Sequence, residues 1–378
     1  MKNLQYVLFV AIAMMAAACS QPLDRSIRPE PATAPQIKIG DYSTFQLANG
    51  LKVIVVENHK LPRVAYQLTV DRDPIMEGDK AGYVSMAGDL LKNGTSSKSK
   101  AEIDEAVDFM GANLSTYSTG MFGSSLTKHS ESLLTLMQDI LMNPAFPEDE
   151  VEKYKKQTLS GLTSSKTDPN SISSNISNAM CYGLDHPYGE QQTEATTENI
   201  TRDDLVGYYS SYFRPNVSYL TIVGDITPAE AETQVKKYFG SWEKADVPSH
   251  TYDKPTLPEG NKVCFAPLDG AVQSVIEITF PVELKTGDDD AIAASVMSNI
   301  LGGGVFGGRL MQNLREDKAF TYGARASISR DSEIGAFSAF ASVRNEVTDS
   351  SVVEFLYEID RLTREAVEDT TLEFIKNY

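Results

Sequence analysis

The chain has 378 residues, 41% of them hydrophobic, which is enough for two or three domains of ~100–200 residues with a substantial core. Its formal net charge of −18 at pH 7 argues against nucleic acids and anionic membrane surfaces as partners, because both attract basic proteins. Neutral or basic polypeptides remain possible partners.

The first 19 residues have the layout of a secretory signal peptide. Lys2 precedes an apolar run over 4–18 that is too short for a comfortable transmembrane helix. Cys19 directly follows three alanines, a sequence similar to a bacterial lipobox, so we expect cleavage before Cys19 and lipidation of its sulfur. The alternative is a plain signal peptide with an incidental cysteine. Residues 20–40 contain four prolines and predict an extended tether. The mature protein would then be lipid-anchored in a bacterial cell envelope and would face the periplasm.

Strand patterns open the first predicted domain, residues 41–245. Asn49-Gly50 is a hairpin signal between two short apolar stretches, and alternating apolar residues over 64–70 indicate a half-buried strand. Capping and periodicity signals then predict a helix, two strands and two helices over 99–111, 112–127, 131–142 and 148–163. Strands followed by packed helices indicate an α+β domain with a largely antiparallel sheet.

A short helix within this domain carries the most informative pattern, G-Y-V-S-M-A-G-D-L-L-K-N-G-T over 82–95. Its frame of a leading glycine and a closing Gly-Thr pair resembles the zinc helix of the pitrilysin/insulinase family of metallopeptidases, G-x-x-H-x-x-E-H-x-x-x-x-G-T. Ser85, Gly88 and Asp89 stand where that pattern has its first histidine, its glutamate base and its second histidine. The zinc-ligand positions are therefore degenerate.

These replacements remove the chemistry of the site, because a catalytic zinc needs three protein ligands and a base beside its bound water. Serine is a poor ligand, glycine has no side chain, and Asp89 alone offers an oxygen. The family's third ligand is a glutamate from a later helix, which here should begin near Pro147 and has no carboxylate between Glu152 and Asp168. We therefore expect this chain to bind no zinc or other cofactor.

A second stretch strengthens the resemblance. Four features follow the family in order and spacing. They are the motif D-H-P-Y-G over 185–189, a helix capped at Thr201, the motif Y-F-R-P-N over 212–216 and a buried strand over 217–223. Residues 246–260 then contain three prolines among polar neighbours and predict a linker between two halves.

The second predicted domain, residues 261–378, begins like the first, with a strand over 273–280 and a helix over 288–301. A glycine-rich loop follows, and the segment after it resembles the family's second-half pattern, including Arg315 and Tyr322. The chain stops partway through a predicted helix, so we expect this domain to be incomplete at its C-terminus.

Arg315 and Tyr322 are the best candidates for chemistry. The resemblance implies that they reach across the chamber between the halves and donate hydrogen bonds to the substrate backbone and to the oxyanion, for which an arginine fork and a phenol are strong donors. The alternative is a solvated helix arginine beside Glu316 and a strand tyrosine.

Other possible sites are weaker. The three acids at 288–290 are more simply a helix N-terminus, and Ser85 with Asp89 and a distant histidine lacks the surroundings of a nucleophile elbow. Cys181 and Cys264 could pair, but we expect two free, buried thiols. The four histidines are scattered and are predicted to be surface or capping residues.

The resemblance implies an α+β protein of two homologous halves, each a mainly antiparallel sheet packed with helices, that close like a clamshell around extended peptides. Some members of the family work as heterodimers in which one chain brings the zinc and the other the arginine and tyrosine. We predict that this chain is the non-zinc subunit of such a periplasmic peptidase, inactive alone, with a zinc-bearing homologous partner. The alternatives are a peptide-binding or scaffold protein of the same fold, and an active metallopeptidase with unorthodox ligands.

Overall fold

Two β-sheets, each covered by helices, form the part of the chain that the computed structural model describes, residues 40–257, 259–304 and 307–376. The predicted signal peptide, with Cys19, lies outside these residues. Within them, no helix has the length and apolar character that crossing a bilayer requires. The α+β class with mainly antiparallel sheets is confirmed.

Six strands make the first sheet: β1 Ser43–Gln46, β2 Lys52–Glu57, β3 Arg63–Val70, β4 Asn113–Tyr117, β5 Gly120–Leu126 and β6 Ser218–Gly224. Their order across the sheet is β1-β2-β6-β3-β5-β4. All neighbours in this sheet are antiparallel except β2 and β6. The parallel pair is possible because a long helical excursion separates the two strands in sequence. The predicted hairpin at Asn49-Gly50 is confirmed: it joins β1 to β2.

The helices that accompany this sheet are α1 Tyr83–Leu90, α2 Lys100–Met110, α3 Ser130–Met142, α4 Glu148–Ser165, α5 Pro169–Tyr182, α6 Glu194–Asn199, α7 Arg202–Tyr212 and α8 Pro228–Phe239. The predicted capping boxes at Ser99 and Thr201 are present, and each satisfies backbone N–H groups that a helix start leaves without partners. Sequence reasoning missed α5, which begins with the Asp168 carboxylate accepting the backbone N–H of Ser171 (2.8 Å).

Three strands make the second sheet: β7 Gln273–Val282, β8 Thr321–Ile328 and β9 Gly335–Arg344, with β9 in the centre and both pairings antiparallel. Its helices are α9 Ala291–Ser298, α10 Thr348–Arg364 and α11 Asp369–Lys376. Two π-helical turns, Asn299–Gly303 and Met311–Asp317, lie on either side of the glycine-rich loop. Such turns are rare in proteins, and those that do occur are often found at functional sites. The helix predicted from residue 288 begins instead at Ala291, because the Asp288 carboxylate accepts the backbone N–H of Lys285 within a turn (2.8 Å).

Each sheet has its own apolar core on one face, and the residues of its other face are less buried. In β3, Val64, Tyr66 and Leu68 are at most 1% exposed, while the residues between them face the other way. In the second sheet the buried positions include Ile276, Ala324, Ala326, Phe337, Ala339, Ala341 and Val343, and Phe355 of α10 packs with them. Burial of side chains such as valine and leucine, worth about 1.5–3 kcal/mol each, stabilises both layers.

Helix α5 links the two sheets by packing along β7. Ser173 Oγ on α5 donates a hydrogen bond to Glu277 Oε2 on β7 (3.1 Å), and the Tyr188 hydroxyl, beyond the helix, donates to Asp331 Oδ1 (2.8 Å). The first part of the chain therefore meets the less buried face of the second sheet at β7, on which Glu277 lies.

The expectations for the cysteines and histidines need correction. Cys181 and Cys264 are both free, but only Cys181 is buried. His186 is 5% exposed and stacks on Tyr182 with ring centroids 5.8 Å apart, so it is a core residue and not a surface one. The motif around His186 is polar, but three aromatic rings pack against the histidine: Tyr182 and Tyr188 from the same stretch of sequence, and Tyr252 from the predicted linker.

Candidate functional site

Helix α1 begins at an unusual backbone position. Gly82 precedes the helix with φ +106°, and a Cβ there would lie 2.1 Å from Gln192 Nε2, so only glycine fits. The Glu77 carboxylate accepts the backbone N–H groups of Gly82 and Val84, both at 2.9 Å. Burial raises the pKa of Glu77, and these two hydrogen bonds oppose that rise. The helix start is therefore held by a partly buried carboxylate.

Ser85 and Asp89 lie one turn apart on the exposed side of α1, and each has a structural partner. Ser85 Oγ donates to the carbonyl oxygen of Gly82 (3.0 Å). Asp89 Oδ2 accepts a hydrogen bond from the hydroxyl of Tyr154 on α4. Burial, together with this bond to Asp89, raises the pKa of Tyr154.

Gly88 lies between them and is buried against the turn that joins β4 to β5. A Cβ on Gly88 would lie 2.0 Å from the backbone nitrogen of Ser118 and 2.3 Å from the carbonyl carbon of Tyr117. Cβ atoms do not approach backbone this closely, so a glutamate cannot be accommodated without moving the turn. The position of the family's base is filled by main chain.

The helix expected to bring a third ligand is α4, and its carboxylates lie in its first turns. One of them, Glu150 Oε2, accepts a hydrogen bond from Asn93 Nδ2 (2.7 Å), which ties α4 to the segment after α1. Across residues 40–257, 259–304 and 307–376, no three histidine, cysteine, aspartate or glutamate side chains are grouped so that they could hold a metal ion. The donor set at α1 does not fit zinc.

Arg315 lies in the second π-helical turn, Met311–Asp317. Its guanidinium Nε is 3.5 Å from Glu316 Oε1, and about a third of the side chain is exposed. A π-helical turn shifts the side chains after it relative to a regular helix, and no pattern in the sequence around Arg315 indicates such a turn.

Tyr322 is 90% exposed because β8 contains an irregularity there. Thr321 pairs with Val343 and Ala324 pairs with Ala341, so two residues of β8 face one residue of β9. The Thr321 hydroxyl stabilises this bulge by donating to the Ser342 carbonyl (2.6 Å) and accepting the N–H of Gly323 (3.1 Å). The phenol is thus turned away from the sheet.

The predicted site residues therefore fall into two sets. Ser85, Gly88 and Asp89 lie beside the first sheet, whereas Arg315 and Tyr322 belong to the second. Each set comes from a single segment of sequence.

Sequence reasoning missed a cluster around Arg72, which follows β3. Arg72 Nε donates to the Tyr208 hydroxyl (2.7 Å), and its guanidinium carbon lies 5.3 Å and 5.8 Å from the ring centroids of Tyr208 and Tyr212. Burial raises the pKa of Tyr208 to about 12, against the influence of Arg72. The two tyrosines, four residues apart on α7, were a usable signal for a shared partner. The Tyr208 ring also packs edge-on against Tyr83, the first residue of α1, with ring centroids 6.1 Å apart, so the cluster supports the start of that helix.

Comparison with known proteins places this geometry in context. A family model described as "peptidase M16 inactive domain" matches residues 199–378. The chain is similar to an uncharacterized zinc protease, YmxG, of Bacillus subtilis, at 25% identity over 74% of this chain and 68% of that protein. It is also similar to a non-peptidase homolog of that name from Helicobacter pylori, at 21% identity over 74% of this chain and 66% of that protein.

A solved structure of a peptidase M16 inactive domain from Pseudomonas fluorescens has the same fold, with a TM-score of 0.80 at 23% identity, covering 89% of this chain and 82% of that one.

Proposed function

We propose, from the resemblance of this chain to the pitrilysin/insulinase (M16) family, that it is the non-zinc subunit of a periplasmic heterodimeric peptidase. Its partner is a homologous chain that holds the zinc, and its substrates are extended peptides. The observation that carries the proposal is the packing of Gly88 on Ser118. Because main chain fills the position of the base, this chain needs a partner to take part in peptide hydrolysis.

Arg315 and Tyr322 are the residues that this chain contributes. An arginine and a phenol can donate hydrogen bonds to a peptide backbone and to the oxyanion that forms when water attacks a carbonyl, and each preorganised donor of this kind is worth ~3 kcal/mol of barrier. The β-bulge supports the assignment of Tyr322, since it holds a large aromatic side chain 90% exposed at a fixed place on a strand.

The test is co-expression with a zinc-bearing homologue encoded nearby. We expect a heterodimer with peptidase activity that neither chain has alone. Arg315→Ala or Tyr322→Phe should lower kcat by about 10²–10³, with assembly and zinc content unchanged, because the pair acts mainly on the transition state. Tyr357→Phe is the matched control: it removes a 53% exposed phenol from α10 and should leave kcat unchanged.

Full activity of both variants, or a partner that is equally active without this chain, would contradict a catalytic contribution. The chain would then be a peptide-binding or scaffold protein of the same fold. One tightly bound zinc per isolated chain, detected by elemental analysis, would instead favour a peptidase with unorthodox ligands.

The proposed location rests on the sequence around Cys19. The mature protein should begin at a lipidated Cys19 and partition with membranes, because acyl chains can anchor a protein to a bilayer. Cys19→Ala should abolish lipid labelling and move the protein to the soluble periplasmic fraction. Unchanged processing and fractionation of this variant would contradict the lipid anchor.

A further inference from the structure

The less buried face of the second sheet carries a cavity of about 400 Å³, within the range of small-ligand pockets. Its floor comes from two neighbouring strands, since Arg325 on β8 pairs with Phe340 on β9, and Ser327 pairs with Ser338. Paired residues point to the same side of a sheet, so these four side chains lie together. The residues between them, such as Ala326 and Ala339, face the core.

The opposite wall is α9 and the π-helical turn after it. Ser295, Ser298, Asn299, Gly302 and Gly303 contribute to this wall. Ser298 Oγ donates to the carbonyl of Ala326 (3.3 Å), and a Cβ on Gly302 would lie 2.6 Å from the nitrogen of Ala326. The missing side chain therefore lets the turn pack directly on β8, and the cavity is a built feature of this contact.

Arg325 supplies the positive charge of the cavity. Its side chain is exposed, and within the described chain its guanidinium has no hydrogen bond or ion pair. Ser327, two residues along the same strand, is also exposed and its hydroxyl has no hydrogen-bond partner among the described residues. Unsatisfied donors of these two kinds suit an anionic acceptor, and an arginine fork matches the two oxygens of a carboxylate.

Glu277 is the acidic group on the same face, and it does not neutralise Arg325. It lies on β7, across β9 from Arg325, which is a separation of about 10 Å for two strand spacings. Its carboxylate already accepts hydrogen bonds from Ser173 Oγ (3.1 Å) and Ser338 Oγ (3.3 Å). Charges this far apart and partly exposed are largely screened in salt.

We propose that this cavity is a subsite for a carboxylate of an extended peptide, either an acidic side chain or the C-terminal carboxyl group. Arg325 binds the carboxylate with its fork, Ser327 donates a further hydrogen bond, and Phe340 covers the aliphatic part of the ligand. The inference rests on the proposed function in peptide handling and adds a preference to it. Arg325 lies three residues from Tyr322 on β8, about 10 Å along the strand, so the acidic group falls about three peptide residues from the bond next to Tyr322.

The test uses the full mature chain without a partner, so its outcome is independent of peptidase activity. Fluorescein-labelled alanine–glycine peptides are titrated by fluorescence anisotropy at constant ionic strength. One peptide carries a single aspartate and its matched peptide carries asparagine there. A second pair of peptides differs only in a free or amidated C-terminus. We expect one of these changes to weaken binding by about 10- to 100-fold, and which one it is identifies the source of the carboxylate.

Arg325→Gln should remove this discrimination, and Arg325→Lys should retain part of it because the charge remains without the fork. Arg330→Gln is the matched control, since it deletes another exposed arginine just beyond β8 and outside the cavity lining, and it should keep the full discrimination. Thermal unfolding verifies that all three variants fold.

Three outcomes would overturn the proposal. They are an unchanged preference in Arg325→Gln, an equal loss in Arg330→Gln, which would indicate bulk charge only, and no binding of any of these peptides. A loss of discrimination in Arg325→Gln combined with an inactive heterodimer would refute the proposed function and leave the subsite standing.

Discussion

Gly88 and Gly161 are both helical glycines, yet their surroundings predict opposite effects of adding a methyl group. Gly88→Ala places a Cβ 2.0 Å from the Ser118 nitrogen and should destabilise the protein by about 3 kcal/mol, because backbone must move to relieve the overlap. Gly161→Ala on α4 meets nothing within 4 Å and should stabilise by about 0.5–1 kcal/mol, because alanine is the better helix former. Urea unfolding measures both.

The same packing predicts that the zinc motif cannot be restored by its three residues alone. A Ser85→His, Gly88→Glu, Asp89→His variant should be less stable than the original and bind no stoichiometric zinc. A stable variant that holds one zinc would show that the turn at Ser118 can move. It would contradict the conclusion that this turn leaves no room for a side chain at position 88.

His59 provides a pH-dependent contact at the surface. Its Nδ1 lies 2.6 Å from Asp225 Oδ1 and its Nε2 lies 2.5 Å from Glu57 Oε1, and these hydrogen bonds raise its pKa, that to Asp225 most. The charged ring therefore stabilises the folded state below the unfolded pKa of about 6.5, and this stabilisation is lost as pH rises through the higher folded pKa.

The difference in Tm between the original protein and His59→Gln should accordingly be largest near pH 6 and disappear at alkaline pH, as followed by thermal unfolding across pH. Asp225→Asn should remove most of the same pH dependence, and the double variant should add little to it. A difference that grows with rising pH would show that His59 is not charged in this contact.

At the scale of single elements, β8 shows how one hydroxyl sets the direction of a functional side chain. Thr321→Val keeps the shape of the residue but removes its hydrogen bonds to Ser342 and Gly323. The free energy of unfolding should therefore fall by about 1–3 kcal/mol. Activity of the heterodimer should fall as in Tyr322→Phe, although Tyr322 is still present. Thr363→Val, which alters an exposed hydroxyl on α10, should change stability by less than about 0.5 kcal/mol. Full activity of the heterodimer with Thr321→Val would show that the bulge is not required for activity.

Elements governed by local signals could be predicted from the sequence. The hairpin at Asn49-Gly50 and the capping boxes at Ser99 and Thr201 are examples, because their turn and capping chemistry is contained in a few neighbouring residues. The parallel pairing of β2 with β6 could not, since it depends on a strand far away in the sequence. Helix α5 has a local start signal in Asp168-Pro169, but the many serines and asparagines that follow are weak helix formers and conceal it.

The candidate site divides in the same way. Ser85, Gly88 and Asp89 could be located from the spacing of one motif, but that main chain fills the space beside Gly88 follows from the position of another hairpin. Arg325 carried no motif, and its cavity arises from a sheet register and a helix that only the folded chain brings together.

On the scale of the whole molecule, the net charge of −18 and the positive charge of Arg325 act over different distances. The overall field attracts basic peptides before contact, whereas the arginine fork acts only when a carboxylate is within hydrogen-bond reach. The peptides favoured by both effects are therefore basic overall and carry one acidic group at a fixed place.

Ionic strength separates the two effects. For a lysine-rich peptide with one aspartate, raising salt from about 50 mM to about 500 mM shortens the Debye length severalfold and should lower the association rate about tenfold or more. The dissociation rate should change less, because it reports the close contacts at Arg325. Stopped-flow fluorescence gives both rates. A neutral peptide with the same aspartate is the control and should show little change in its association rate. Equal salt dependence for the two peptides would mean that the acidic surface does not guide the encounter, and that the charge of −18 has no part in selecting substrates.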